Sequence, residues 1–106
     1  MQNNTWHEIG TIEDIPRLGS RVVPNVTGDI AIFRTNDDHI FALDDSCPHK
    51  QGKLSQGIVH DQSVTCPLHS WVIGLADGMA RDPDTGCTRK HQIRPDGNRI
   101  YLMVAT

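Results

Sequence analysis

Two short segments that each carry one cysteine and one histidine constrain this chain more than any other feature. Residues 47–49 read Cys-Pro-His, and residues 66–69 read Cys-Pro-Leu-His after sixteen intervening residues. Thiolate and neutral imidazole are both good metal ligands near neutral pH. The pattern therefore predicts a metal site on two separate loops. Its expected ligands are Cys47, His49, Cys66 and His69.

Length and composition fit one ordinary globular domain. A chain of 106 residues is the size of a single domain and can bury a stable apolar core without disulfide or metal cross-links. Aromatic residues make up only 5% of the chain, so the core must come mainly from Ile, Val and Leu. The net charge of −3 gives no support for a nucleic-acid or anionic-membrane partner.

The cysteine count and the first residues indicate a reducing, cytoplasmic location. Three cysteines, of which two lie in the metal pattern, do not make a disulfide framework. The N-terminal residues show neither the basic nor the apolar region of a signal peptide. Nor does any window approach the ~20 apolar residues that a membrane span needs.

Short β-prone runs between turn residues predict an all-β fold, either an antiparallel barrel or a sandwich. Asp61-Gln62 and Asp96-Gly97 are each expected to close a tight hairpin. No helical period of useful length occurs, so we expect one all-β domain over residues 1–106. The expected strands cover 6–9, 21–23, 29–35, 39–43, 58–60, 63–65, 71–73, 92–94 and 100–104.

Two kinds of metal site are compatible with these four ligands, a structural zinc site and a binuclear iron–sulfur cluster. Structural zinc also takes Cys2His2 sets, but zinc fingers usually keep the cysteines in one pair and the histidines in the other. Here each pair is mixed. Mixed pairs on two loops suit a binuclear iron–sulfur cluster with one thiolate per loop on one iron and one imidazole per loop on the other. The cluster is the favoured interpretation.

These residues, with Leu-Ser-Gln-Gly at 54–57 between them, resemble the Rieske [2Fe–2S] family. The resemblance implies an antiparallel all-β domain with a small two-loop cluster-binding subdomain, here at about 45–75. It also implies that Cys47, His49, Cys66 and His69 bind a Rieske-type [2Fe–2S] cluster.

A narrower resemblance is to the small subunit of assimilatory NADH-dependent nitrite reductase. It is carried by residues 66–78, which include Trp71, and by residues 83–87, which end in Gly86-Cys87. The resemblance implies a partner: a large catalytic subunit with flavin, an iron–sulfur cluster and sirohaem, which reduces nitrite to ammonia in nitrate assimilation. Two alternatives remain, a Rieske ferredoxin of an aromatic-ring-hydroxylating dioxygenase and a non-redox structural metal or adaptor module.

The sequence departs from the high-potential branch of the family. In that branch a disulfide links the two loops, and hydroxyl groups point at the cluster. The positions equivalent to the two cysteines are here Gly52 and Leu68, and those equivalent to the hydroxyl residues are Trp71 and Ile73. Hydrogen bonds to the sulfurs raise the potential, so we expect the lower part of the roughly −150 to +300 mV Rieske range. Gln51 also stands where many relatives carry Gly.

No Ser-His-Asp, paired-carboxylate or phosphate-loop arrangement is visible, so the chain is expected to carry electrons and to have no catalytic site of its own. His49 and His69 are expected at the loop tips, facing a docked partner. The expected docking rim consists of Pro48, Lys50, Pro67 and Leu68.

The remaining polar residues receive ordinary structural interpretations. Asp44-Asp45 is expected to be a pair of solvated loop charges, and Cys87 a small packed residue or an inert thiol. Trp71 is expected to pack in the core beside the site. The other histidines are expected to face solvent: His7, His39, His60 and His91.

Overall fold

A computed structural model of the chain describes residues 4–24, 28–46, 52–67, 71–81 and 86–105. Within these ranges the chain forms ten β-strands and two short 3-10 helices, Ile12–Asp14 and Leu54–Gln56. The strands are β1 (Asn4–Thr11), β2 (Ser20–Val23), β3 (Ile30–Arg34), β4 (Ile40–Asp44), β5 (Ile58–His60), β6 (Ser63–Thr65), β7 (Val72–Gly74), β8 (Lys90–His91), β9 (Ile93–Asp96) and β10 (Arg99–Ala105).

The strands make three antiparallel sheets. The outer sheet has the order β1-β10-β9, the central sheet β2-β3-β4-β8, and the hairpin sheet β5-β6-β7. The all-β antiparallel prediction is therefore confirmed. The sequence left open whether the strands form a barrel or a sandwich. The described strands form separate packed sheets rather than one closed barrel.

The inner strand β3 of the central sheet is buried on both faces, which explains its continuous apolar sequence. Because successive side chains of a strand point to opposite faces, Ile30 and Ile32 belong to one apolar cluster and Ala31 and Phe33 to the other. Ile100 and Leu102 of the outer sheet complete the first cluster. The second cluster contains the buried residues of the hairpin sheet.

One of the two predicted hairpin turns has the expected register, and the other is shifted by one residue. His60 pairs with Ser63, so Asp61-Gln62 forms the two-residue loop as predicted. Asp96 pairs with Arg99, so the second loop is Gly97-Asn98 rather than Asp96-Gly97. Gly97 has φ +62°, and glycine at the first loop position suits a hairpin turn with positive φ there.

Two features near the site were not predicted. Residues 54–56 form the second 3-10 helix, and Lys90–His91 adds the short strand β8 to the edge of the central sheet. Among the described residues, no helix is long and apolar enough to cross a membrane.

Candidate metal centre

Of the four predicted ligands, Cys66 lies in the described part of the chain. It follows β6 directly and is 1% exposed, packed in the apolar cluster that contains Val64 and Leu54. A bare thiolate in such surroundings is unfavourable, whereas a bound metal cation compensates its charge. The position of Cys66 therefore suits a metal ligand. Cys47, His49 and His69 lie outside the described residues.

A backbone hydrogen bond closes the base of the second ligand loop. Thr65 pairs with Val72 across β6 and β7, and one residue further on the Cys66 N–H donates to the Trp71 carbonyl oxygen at 2.6 Å. Trp71 is half-buried and packs against the same apolar cluster as Cys66, as the sequence predicted. The sheet itself therefore fixes both ends of the segment that carries His69.

The segment that follows the second loop is held by Asp77. Its carboxylate accepts hydrogen bonds from the Met79 N–H at 3.0 Å and from Arg81 Nη1 at 3.1 Å. The Met79 N–H, with Arg81 as the weaker contribution, lowers the pKa of Asp77 below its usual value. The Arg81 guanidinium lies over Gly74, where a Cβ would be 2.2 Å from it. A side chain at position 74 would therefore displace the guanidinium from this place.

The first ligand loop lies between β4 and the second 3-10 helix. Asp45 precedes it, and Ser55 follows it. The Ser55 N–H donates to Asp45 Oδ1 at 2.7 Å, and the Ser55 hydroxyl donates to Asp45 Oδ2 at 2.8 Å. Asp45 is thus a partly buried hydrogen-bond acceptor, so its interpretation as a solvated loop charge is wrong.

Asp44 is also not a solvated charge. His91 Nε2 lies 2.6 Å from Asp44 Oδ1, and Arg89 Nε lies 3.4 Å from Asp44 Oδ2. The His91 side chain is only 12% exposed, so the expectation that it faces solvent is wrong as well. Sequence gave no signal for this contact because the partners are 47 positions apart.

The remaining histidines, Cys87 and the expected docking rim can be compared with their predictions in turn. His7 and His39 are exposed as expected, whereas His60 is half-buried with Nε2 2.6 Å from the Thr65 hydroxyl. Cys87 is exposed, so its interpretation as a small packed residue is wrong, while the inert thiol stays a prediction. Of the expected docking rim, Pro67 is described and is exposed. Pro48, Lys50, Leu68 and Gln51 lie outside the described residues.

Comparison with known proteins places this arrangement in a recognised class. A family model described as the Rieske [2Fe-2S] domain matches residues 5–92. The anthranilate 1,2-dioxygenase ferredoxin subunit of Burkholderia cepacia is 36% identical over 102 residues, which cover 93% of this chain and 92% of that protein. The layered antiparallel fold and these two matches thus define an iron–sulfur protein of the electron-transfer class.

Solved structures of similar fold include a dioxygenase ferredoxin complex and a nitrite reductase small subunit. The ferredoxin-containing complex of carbazole 1,9a-dioxygenase has a chain with TM-score 0.82 and 24% identity, covering 94% of both chains. A structure described as an NADH-dependent nitrite reductase small subunit from Mycobacterium tuberculosis has TM-score 0.84 and 20% identity, covering 95% of this chain and 96% of that one. At these identities the likeness concerns the fold.

The chain belongs to the Rieske [2Fe-2S] domain family. Its cofactor is accordingly a Rieske-type [2Fe–2S] cluster. The one described member of the predicted ligand set fits this cofactor, because Cys66 is buried beside apolar side chains at the base of a closed loop.

Proposed function

We propose that the chain is a one-electron carrier in which Cys47, His49, Cys66 and His69 hold the cluster. The observation that carries this proposal is the buried Cys66 at the closed base of its loop, in a chain whose Rieske match spans residues 5–92. When bound, such a cluster takes up and releases one electron. The cysteines would hold one iron as thiolates, and the histidines would hold the other through neutral imidazole nitrogens.

The proposed carrier has no catalytic site of its own, so an oxidoreductase partner must supply the chemistry. The relatives reported above include a ferredoxin subunit of a dioxygenase and a nitrite reductase small subunit. We place the whole chain, residues 1–106, in one domain in which residues of about 45–75 form the cluster-binding subdomain. The expected location is the cytoplasm.

The specific role that we propose is that of the small subunit of an assimilatory NADH-dependent nitrite reductase. The proposed partner is a large subunit that carries flavin, an iron–sulfur cluster and sirohaem and reduces nitrite to ammonia. The support is the sequence of residues 66–78 and of Gly86-Cys87, which resembles that family. The proposed docking rim is the one expected from the sequence, around His49 and His69.

The two stretches behind this resemblance meet at their described ends. The Ala80 N–H donates to the Gly86 carbonyl oxygen at 2.9 Å, and the Thr88 N–H donates to the Gly78 carbonyl oxygen at 2.8 Å. Met79 and Cys87 form the β-bridge between these two bonds. The described end of one stretch therefore lies beside the described end of the other.

A second candidate role is that of a ferredoxin that delivers electrons to an aromatic-ring dioxygenase. It is favoured by the 36% identity to the anthranilate dioxygenase ferredoxin subunit, because this match covers more than nine-tenths of both chains. The nitrite reductase structure is only 20% identical. The two roles use the same cluster and differ in the partner that accepts its electrons.

Reconstitution with each partner separates the two roles. The purified chain is mixed with a sirohaem-containing nitrite reductase large subunit, and NADH oxidation is followed with and without nitrite. In parallel, it is mixed with a ferredoxin reductase and a terminal dioxygenase, and the hydroxylated product is measured. Nitrite-dependent turnover that requires this chain supports the proposed role. Product formation in the second mixture alone would replace it with the ferredoxin role.

Iron analysis and EPR test the ligand assignment itself. Anaerobically purified chain should contain about two irons and, when reduced, give a rhombic EPR signal of the Rieske type. His69→Ala should abolish the signal, and His69→Cys should change it. Zinc in place of iron, or no metal, would support the structural or adaptor alternative instead.

A further inference from the structure

We propose that Asp45 is a positioning residue that closes the first ligand loop and sets its place relative to Cys66. This inference rests on the proposed assignment of Cys47 and His49 as ligands. Asp45 stands two positions before Cys47 in the sequence, and its partner Ser55 stands beyond the loop, in the second 3-10 helix. The contact between them therefore fixes the distance between the two ends of the loop.

The geometry of this contact is that of a two-pronged clamp. Both carboxylate oxygens of Asp45 are used, one by the Ser55 N–H at 2.7 Å and one by the Ser55 hydroxyl at 2.8 Å. Two parallel hydrogen bonds fix the orientation of the two groups as well as the distance between them. Both residues are half-buried, which limits competition by water. Asp45 is itself fixed by its N–H, which donates to the Asp29 carbonyl oxygen at 3.0 Å.

The two ligand loops differ in what closes them. The second loop is closed by strand pairing and by the Cys66 N–H bond to the Trp71 carbonyl oxygen. The first loop leads from a strand into a 3-10 helix, so no sheet ladder crosses its base. Among the described backbone hydrogen bonds, none joins residues 44–46 to residues 52–57. The Asp45 carboxylate supplies the closure that the backbone does not.

The helix at the far end of the clamp is itself fixed to the body of the protein. The Ser20 hydroxyl of β2 donates to the Ser55 carbonyl oxygen at 2.8 Å. Leu54 is fully buried in the same apolar cluster as Cys66. At Gly57 an added Cβ would lie 2.3 Å from the Thr65 carbonyl oxygen, so the end of the helix touches the strand that leads into Cys66. The clamp thus ties the first loop to the frame that holds the second.

Three variants separate hydrogen bonding from charge and from bulk. Asp45→Leu keeps the branched shape of the side chain and removes both acceptors. Asp45→Asn keeps both contacts, because its oxygen can accept from the Ser55 N–H while its amide donates to the Ser55 hydroxyl oxygen. Ser55→Ala removes one of the two bonds. The expected order of severity is therefore Asp45→Leu, then Ser55→Ala, with Asp45→Asn close to the unsubstituted protein.

The chain offers a matched control at Asp14. Its carboxylate accepts the Thr11 N–H at 2.9 Å and the Thr11 hydroxyl at 3.4 Å around the first 3-10 helix. The donor groups are the same as at Asp45, an N–H and a hydroxyl of one residue, although here both reach a single oxygen, Oδ2. Asp14 lies outside both ligand loops, beside the outer sheet. Asp14→Leu should lower the melting temperature without affecting the cluster.

The experiment compares the reduced-state EPR spectrum, the midpoint potential and the rate of iron loss to a chelator in the full-length proteins. In Asp45→Leu we expect shifted g-values, a shifted potential and iron loss at least about tenfold faster. Asp14→Leu should match the unsubstituted protein in all three readouts. Hydrogen exchange at the Ser55 amide should rise in Asp45→Leu and stay low in Asp45→Asn.

The outcomes separate the clamp from the ligand assignment. If the unsubstituted protein gives no rhombic signal, the ligand assignment fails before the clamp is at issue. If that signal is present and Asp45→Leu leaves all three readouts unchanged, the clamp is refuted. An Asp45→Asn protein as impaired as Asp45→Leu would also refute it, since charge rather than hydrogen-bond geometry would then be what the site requires.

Discussion

The two described cysteines show that the surroundings of a thiol, not its presence, make it a candidate ligand. Cys66 is 1% exposed at the end of a strand, whereas Cys87 is exposed in a bridge to Met79. The sequence also distinguishes them, because only Cys66 is followed by a histidine in the paired pattern. It did not predict that Cys87 would be exposed.

This contrast leads to a prediction for serine substitutions. Cys66→Ser should lose the cluster, because the hydroxyl that replaces the thiolate is a poor ligand for iron. Iron should fall from about two per chain to background, and the EPR signal should vanish. Cys87→Ser is the control and should retain both iron and signal. A Cys66→Ser protein with full iron content would remove Cys66 from the ligand set.

Asp38 gives the molecule a defined response to acid. Arg34 donates to its Oδ1 at 2.9 Å, and Arg17 donates to both oxygens at 3.2 Å. These bonds, with that from Arg34 the larger contribution, lower the pKa of Asp38 in the folded protein. The unfolded chain therefore binds more protons than the folded chain as the pH falls below about 3.9. The contribution is present above that pH and is lost as the pH falls through the folded pKa.

We predict that Asp38→Asn weakens this acid response. The loss of unfolding free energy between pH 7 and pH 3, measured by urea denaturation, should be smaller in Asp38→Asn than in the unsubstituted protein. Asp96→Asn is the control, because Asp96 is an exposed carboxylate of β9 with no ion pair among the described residues. Equal losses in all three proteins would contradict the role given to Asp38.

At the level of elements, the second 3-10 helix carries Ser55, the partner of Asp45, and the sequence did not predict it. Residues 54–57 contributed to the family resemblance, but three residues are too few for a periodic pattern to predict a helix. Its position depends on contacts with β2, β3 and β6 that lie far away in the chain. Only the folded chain brings those strands together.

Gly57 is the position at which this helix is most sensitive to substitution. Gly57→Ala should lower the unfolding free energy by about 1–3 kcal/mol, since its Cβ would overlap the Thr65 carbonyl oxygen. Because the strain falls next to Cys66, iron loss to a chelator should also accelerate. Denaturant unfolding and the chelation rate measure the two effects.

Gly97→Ala is the matched control for Gly57→Ala. It has open space around the added Cβ but must adopt φ +62°, which costs an L-residue about 1–2 kcal/mol. The stability loss should therefore be similar, with no change in iron retention. Equal chelation rates in the two variants would show that the end of the helix does not support the site.

At the level of the whole molecule, the central sheet separates two apolar clusters. One contains Cys66, and the other lies beneath the outer sheet. Phe33 and Ile32 are neighbours in β3 and both are fully buried. Phe33 faces the cluster that contains Cys66, while Ile32 faces the cluster beneath the outer sheet. One strand thus allows each side of the molecule to be perturbed separately.

Alanine substitutions should reveal this division. Phe33→Ala should cost about 3–5 kcal/mol and Ile32→Ala about 2–5 kcal/mol of unfolding free energy. Only Phe33→Ala should accelerate iron loss measured under native conditions, because its cavity opens beside Cys66. The contrary result would be that Ile32→Ala loses iron as fast as Phe33→Ala when both variants have the same unfolding free energy. The two sides of the central sheet would then not be independent.

The sequence by itself determined the class of the fold, the kind of metal centre and one of the two hairpin registers. These properties depend on local signals: alternating apolar residues, turn residues, and cysteine and histidine at short fixed spacing. It failed at Asp44 and Asp45, whose partners are 47 and 10 positions away, because polar contacts over such distances leave no local pattern. The tertiary structure alone decided which carboxylates are held as acceptors and which of the two described thiols is buried. Those outcomes depend on which strands pack together, and packing is settled only when the whole chain has folded.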